Sequence, residues 1–86
     1  MAGPRPRKLK WSEQQELQTI EERIQAAEQV VIRTELQFAD PAFYAEHGKD
    51  WPAFEKQLQI ARENVTQLYN RWEELERIRA QEPNGS

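Results

Sequence analysis

Two apolar runs, each stepping alternately by three and four residues, set the terms for what this chain can fold into. The first is Leu17, Ile20, Ile24, Ala27, Val31, Thr34 and Phe38. The second is Phe54, Leu58, Ala61, Val65, Leu68, Trp72, Leu75 and Arg79. Such stepping returns an apolar side chain to one stripe of a helix and reads as a coiled-coil seam. Thr34 and Arg79 are the polar exceptions, and Ile78 stands beside the second. Two seams of similar length, joined by a short connection, must fold back on each other; a parallel pair would need a connection as long as a helix. The predicted fold is therefore all-α, an antiparallel two-helix coiled-coil hairpin with a short helical turn at the tip. Each long helix spans about 40 Å at 1.5 Å per residue.

Local signals place the ends. Ser12, with Gln15 three residues on, has the form of a capping box, and Glu13 and Glu16 suit the positive end of a helix dipole. Asp40-Pro41 stops the first helix, and the same pair can start a short turn through Phe43 and Tyr44. His47-Gly48-Lys49 is the expected reversal, after which Asp50 caps the second helix and Pro52 is tolerated in its first turn. Expected bounds are a basic Pro-rich linker at 1–10, helices at 12–39 and 51–80 around a turn at 40–50, and a disordered tail at 81–86. Antiparallel pairing sets Leu17 against Leu75, Ile20 against Trp72, Ile24 against Leu68, Ala27 against Val65, Val31 against Ala61 and Phe38 against Phe54. Truncating Leu68 or Ile24 to Ala should cost about 2–4 kcal/mol.

At 86 residues the chain holds at most one small domain. It has no cysteine, one histidine and two serines, Ser12 and Ser86. Ser12 lies at the far end of the hairpin from His47, so no nucleophile and base meet. No Gly-rich loop precedes a helix, so nothing cradles a phosphate. The carboxylate pairs Glu21-Glu22 and Glu73-Glu74 sit on solvent faces with no pocket to perturb them. His47 with Glu46 and Asp50 falls short of a structural zinc set, leaving a turn residue in water. No catalytic residue, metal or cofactor is expected in this chain. No apolar run is long enough to span a bilayer and no signal peptide is visible, so a cytoplasmic location is expected, without membrane contact. Phe38, Phe43, Tyr44, Trp51 and Phe54 crowd the tip, where they can lock the turn or offer a base-stacking platform. Trp72 belongs to the seam, and Trp11 is expected to pack over Ile78.

Charge is uneven. Net charge is −3, yet Arg5, Arg7, Lys8 and Lys10 form an arm without an acid, leaving the other 8 of the 12 basic side chains against all 15 acids. The hairpin's open end should bring that arm to Arg77 and Arg79. A cluster of six positives results, with Glu13, Glu73 and Glu76 close by. It reads either as a phosphate-contacting patch or as a salt-bridged helix end. Lys49 and Lys56 make a weaker group near the tip.

Three segments carry a family resemblance. Lys8 to Leu17, reading KLKWSEQQEL, resembles the opening KLSYKEQRELE of the C-terminal coiled-coil domain of Uup-type ABC-F ATPases. Phe38 to Tyr44, reading FADPAFY, resembles that domain's LADPDFY turn. Leu68 to Glu76, reading LYNRWEELE, is similar to its LYERWEELE. The segments occur in the same order and together cover about Lys8 to Arg79. The resemblance implies a cytoplasmic parent ATPase with two nucleotide-binding domains that bind ATP and Mg. This piece would be its appendage, reached through the basic linker. It also implies DNA binding, branched DNA included, and, since ABC-F proteins act on ribosomes, ribosomal RNA as a partner beside the parent's own ATPase domains.

Together these readings give a DNA-binding appendage whose Arg5, Arg7, Lys8, Lys10, Arg77 and Arg79 contact phosphates without reading sequence. The alternative is a protein-interaction or ribosome-associated spacer coiled coil, for which Val30, Ile32, Leu36 and Ile60 could supply an uncovered apolar stripe.

Overall fold

The structure, a computed structural model, describes residues 8–81. Helix α1 runs Trp11–Phe38, α2 runs Pro41–His47, a single 3-10 turn covers Gly48–Asp50, and α3 runs Trp51–Ala80. Three bonds across the pair show the antiparallel sense. Glu16 meets Arg71, Glu28 meets Tyr69 and Glu35 meets Arg62, so numbers fall along α3 as they rise along α1. Each bond lies within a turn of a predicted layer, which keeps the expected register.

The seam is the core. Ile20, Ile24, Ala27, Leu58 and Leu75 are buried, and Leu17, Leu68, Trp72 and Ile78 pack against the cluster that Ile20, Ile24 and Leu75 form with Leu9. Thr34 is half-buried, and its hydroxyl donates to the Val30 carbonyl one turn back at 2.7 Å, satisfying the one polar position of the α1 seam. Arg79, last of the α3 positions, is exposed, and Ile78 turns inward beside it.

The start of α1 differs from the sequence expectation. The helix begins at Trp11, and the N-cap is Lys10 rather than Ser12. The Glu13 carboxylate accepts the Lys10 N–H at 2.9 Å, and the Gln14 side-chain amide donates to the Leu9 carbonyl at 3.2 Å. The reason is Leu9. It is 6% exposed, seated in the cluster with Ile20, Ile24 and Leu75. Burying Leu9 draws residues 8–10 onto the hairpin and moves the helix start to where Glu13 can reach back. Trp11, expected over Ile78, is instead 74% exposed, because Leu9 occupies the apolar site at that end.

At the tip, Asp40 is the N-cap of α2, with Pro41 following and its carboxylate accepting the Ala42 N–H at 2.9 Å. Asp50 holds the N-cap position of α3 but makes no side-chain cap bond. The rings pack on one another. Phe43 lies 6.0 Å from Phe38, 5.1 Å from Phe54 and 4.7 Å from His47, so it bridges Phe38 and Phe54, the two seam ends. Phe38 lies 4.7 Å from Trp51. His47, expected in water, is half-buried in this cluster, 5.4 Å from Phe54. The rings lock the turn, and Tyr44 remains largely exposed.

Candidate nucleic-acid interface

Burial of Leu9 sets the geometry of the open end. Leu9 shares one cluster with Leu75, and Ile78 packs against that cluster. Its exposed neighbours Lys8 and Lys10 therefore lie at the end of the hairpin where α3 carries Arg77 and Arg79. Both arginines sit in the last turn of α3, where a helix favours positive charge. Arg5 and Arg7, the other two residues of the predicted patch, lie outside the described residues.

The four described cations differ in commitment. Arg79 is tied to Glu76 one turn back, its Nε 3.2 Å from the Glu76 Oε1. Lys10 and Arg77 make no ion pair among the described residues.

The most organised charge at this end is one the sequence reading did not single out. Arg71 sits on α3 with its fork on the Glu16 carboxylate of α1, Nε to Oε2 at 2.7 Å and Nη2 to Oε1 at 2.8 Å. Its Nη1 also bonds Glu74, and its Nη2 lies 3.9 Å from the buried Glu13. The Arg71 hydrogen bond holds the Glu16 carboxyl below the ordinary carboxylate range, against a smaller opposing effect of burial. The same bond raises the Arg71 guanidinium above its already high value. Arg71 is thus a cross-helix clamp, closed on carboxylates, and leaves nothing for a phosphate. The RWEELE segment contained it, but the pairing follows only from the register.

No group of three His, Asp or Glu side chains able to hold a metal occurs among the described residues. No helix among them is long and apolar enough to cross a membrane. Val30, Ile32, Leu36 and Ile60 are all exposed, but they do not form one stripe. Val30 lines a groove with Asn64 and Leu68, whereas Ile32 lines another with Arg62 and Val65. Two residues along a helix is about 200° around it, so Val30 and Ile32 face opposite flanks of the seam.

A family model described as the ABC transporter C-terminal domain matches residues 8–77. Comparison with curated proteins and with solved structures gives no match.

Proposed function

Because this chain belongs to the ABC transporter C-terminal domain family, we propose that it is the nucleic-acid-contacting appendage of an ABC ATPase of the Uup-like ABC-F type. The observation that carries the reading is the anchored Leu9, which holds Lys8 and Lys10 beside the α3 end bearing Arg77 and Arg79. Four cations at one end of a rod, with Arg5 and Arg7 just before them in sequence, make a site for phosphates. Such contacts give affinity and orientation without base readout. DNA, branched DNA included, is the first substrate class, and ribosomal RNA offers the same phosphate chemistry. In this reading the hairpin supplies no catalysis. ATP and Mg belong to the nucleotide-binding domains of a cytoplasmic parent, which are also its intramolecular partners.

The test is a titration of the 86-residue chain with labelled duplex, four-way-junction and single-stranded RNA probes at several salt concentrations. Binding should weaken steeply as salt rises. The Lys8→Glu/Lys10→Glu double variant should lose far more affinity than Arg33→Glu, which lies mid-helix away from the open end. Binding indifferent to salt, or equal losses in the two variants, sinks the proposal.

A further inference from the structure

Trp11 is the most exposed large apolar side chain among the described residues. The geometry of α1 turns it outward. Glu13, two residues and about 200° further round the helix, is buried on the α3 side, so Trp11 faces away from α3. It stands alone there. Leu9 and Leu75 are buried, and the next exposed large hydrophobic along α1 is Val30, about 28 Å on at 1.5 Å per residue. The face that Trp11 opens runs through Gln14, Gln15 and Gln18, all exposed, and meets its first acid at Glu22. The Gln14 amide donates to the Leu9 carbonyl, whereas the side-chain amides of Gln15 and Gln18 make no hydrogen bond among the described residues. Lys10 and Lys8, just ahead of the ring, are exposed. Most acids of this end are engaged elsewhere: Glu13, Glu16 and Glu74 with Arg71, and Glu76 with Arg79. Glu73, exposed on α3, makes no ion pair among the described residues.

A protein partner needs a contiguous apolar patch, and a single ring without apolar neighbours offers none. An indole set among lysines and amides suits a different ligand, a flat ring that carries an anion and a hydrogen-bonding edge. An unpaired nucleobase is such a ligand. Its face stacks on the indole, its phosphate reaches Lys10 or Lys8, and its edge can meet an amide that both donates and accepts. We propose that Trp11 is a stacking platform for an unpaired base, in DNA or RNA, and gives the open end a preference for single-stranded segments over continuous duplex. This rests on the phosphate reading above and adds to it the kind of strand preferred. Within a duplex both faces of a base are covered by its neighbours, so Trp11 adds nothing there. The tip offers no equivalent: Tyr44, its exposed ring, already packs edge-to-face with Trp51 at 5.0 Å.

The test titrates the 86-residue chain with oligothymidylate, oligouridylate, an abasic deoxyribose-phosphate oligomer of equal charge, and a duplex of several turns. Trp11→Ala should weaken oligothymidylate and oligouridylate by about tenfold. It should bind the duplex and the abasic oligomer within about twofold of the unaltered chain, with the same salt slope, because no phosphate contact is lost. Trp11→Phe should restore most of the loss, and Tyr44→Ala should cause none. Bound oligothymidylate should quench indole fluorescence in the unaltered chain and not in Trp11→Ala. A loss confined to one of the two oligonucleotides assigns the base to DNA or to RNA. Three outcomes sink the stacking role and leave the phosphate site standing, provided duplex binding still falls with salt. These are single-strand affinity indifferent to Trp11→Ala, an equal loss on the abasic oligomer, and quenching that survives the substitution. Absence of salt-dependent binding to every probe sinks both readings.

Discussion

Arg71 of α3 grips Glu16 of α1 through two parallel hydrogen bonds of 2.7 and 2.8 Å, across 55 positions of sequence. The pair closes the open end of the hairpin as the aromatic cluster closes the tip. Arg71 also lies 3.9 Å from Glu13, which is buried and accepts the Lys10 N–H. Replacing Arg71 with Gln should therefore cost about 1–2 kcal/mol, the lower end of charge-assisted bonds because the side chain is partly open to water. Thermal or urea melting of the variant checks this; a loss below about 0.3 kcal/mol would show the clamp to be a surface ion pair of no consequence.

The same pair predicts a pH dependence. Glu16 binds its proton less readily folded than unfolded, because its hydrogen bond to Arg71 needs the carboxylate. Its contribution is present above the unfolded Glu range, near pH 4.3, and is lost as pH falls through the lower folded value. Melting temperature should drop between about pH 5 and pH 2, and the drop should be smaller in Arg71→Gln. Parallel curves for the two proteins would place the acid sensitivity elsewhere.

Leu9 should behave as a core residue although it precedes both seams. At 6% exposure in the cluster with Ile20, Ile24 and Leu75, Leu9→Ala should cost about 2–3 kcal/mol, comparable to a seam truncation. Trp11→Ala, removing a far larger but exposed side chain, should cost under about 0.5 kcal/mol. Chemical denaturation of the two variants reads the contrast directly, and the reverse order would refute the assignment of Leu9 to the core.

What was legible in the sequence, and what was not, divides along physical lines. The stepping from Leu17 to Phe38 and from Phe54 to Leu75 was enough for the hairpin, because burial on a helix repeats with the helix. Asp40-Pro41 was enough for the tip, since a cap and a preset φ act locally. Leu9 escaped because periodicity speaks only inside a helix, and the residue packs from an extended segment ahead of one. Arg71 escaped for another reason: among many charged side chains, the register alone decides which Glu it meets. Val30, Ile32, Leu36 and Ile60 were readable as exposed, but counting them as one stripe ignored the half-turn between Val30 and Ile32.

Gly48 offers a test of the tip. It sits in the reversal, yet its backbone is right-handed at φ −57° and ψ −31°, and a Cβ there would meet only the Tyr44 ring at 3.9 Å, an ordinary contact. Nothing in the fold requires a glycine. Gly48→Ala should stabilise the hairpin by about 0.5 kcal/mol through the unfolded chain's lost freedom. Destabilisation in a melting experiment would mean that the tip needs room the structure does not show.

The phosphate reading makes a finer prediction from the two arginines that close α3. Arg77 has no ion-pair partner among the described residues, whereas Arg79 is tied to Glu76. A phosphate that contacts Arg79 must compete with that carboxylate; one that contacts Arg77 need not. Arg77→Ala should therefore weaken DNA binding more than Arg79→Ala and lower the salt slope by about one unit, the release of one counterion. Glu76→Gln should strengthen binding by freeing Arg79 and removing a repelling charge. Anisotropy titrations of the three variants across salt concentrations measure all of this, and a larger loss for Arg79→Ala than for Arg77→Ala would place the phosphate on the other side of the helix end.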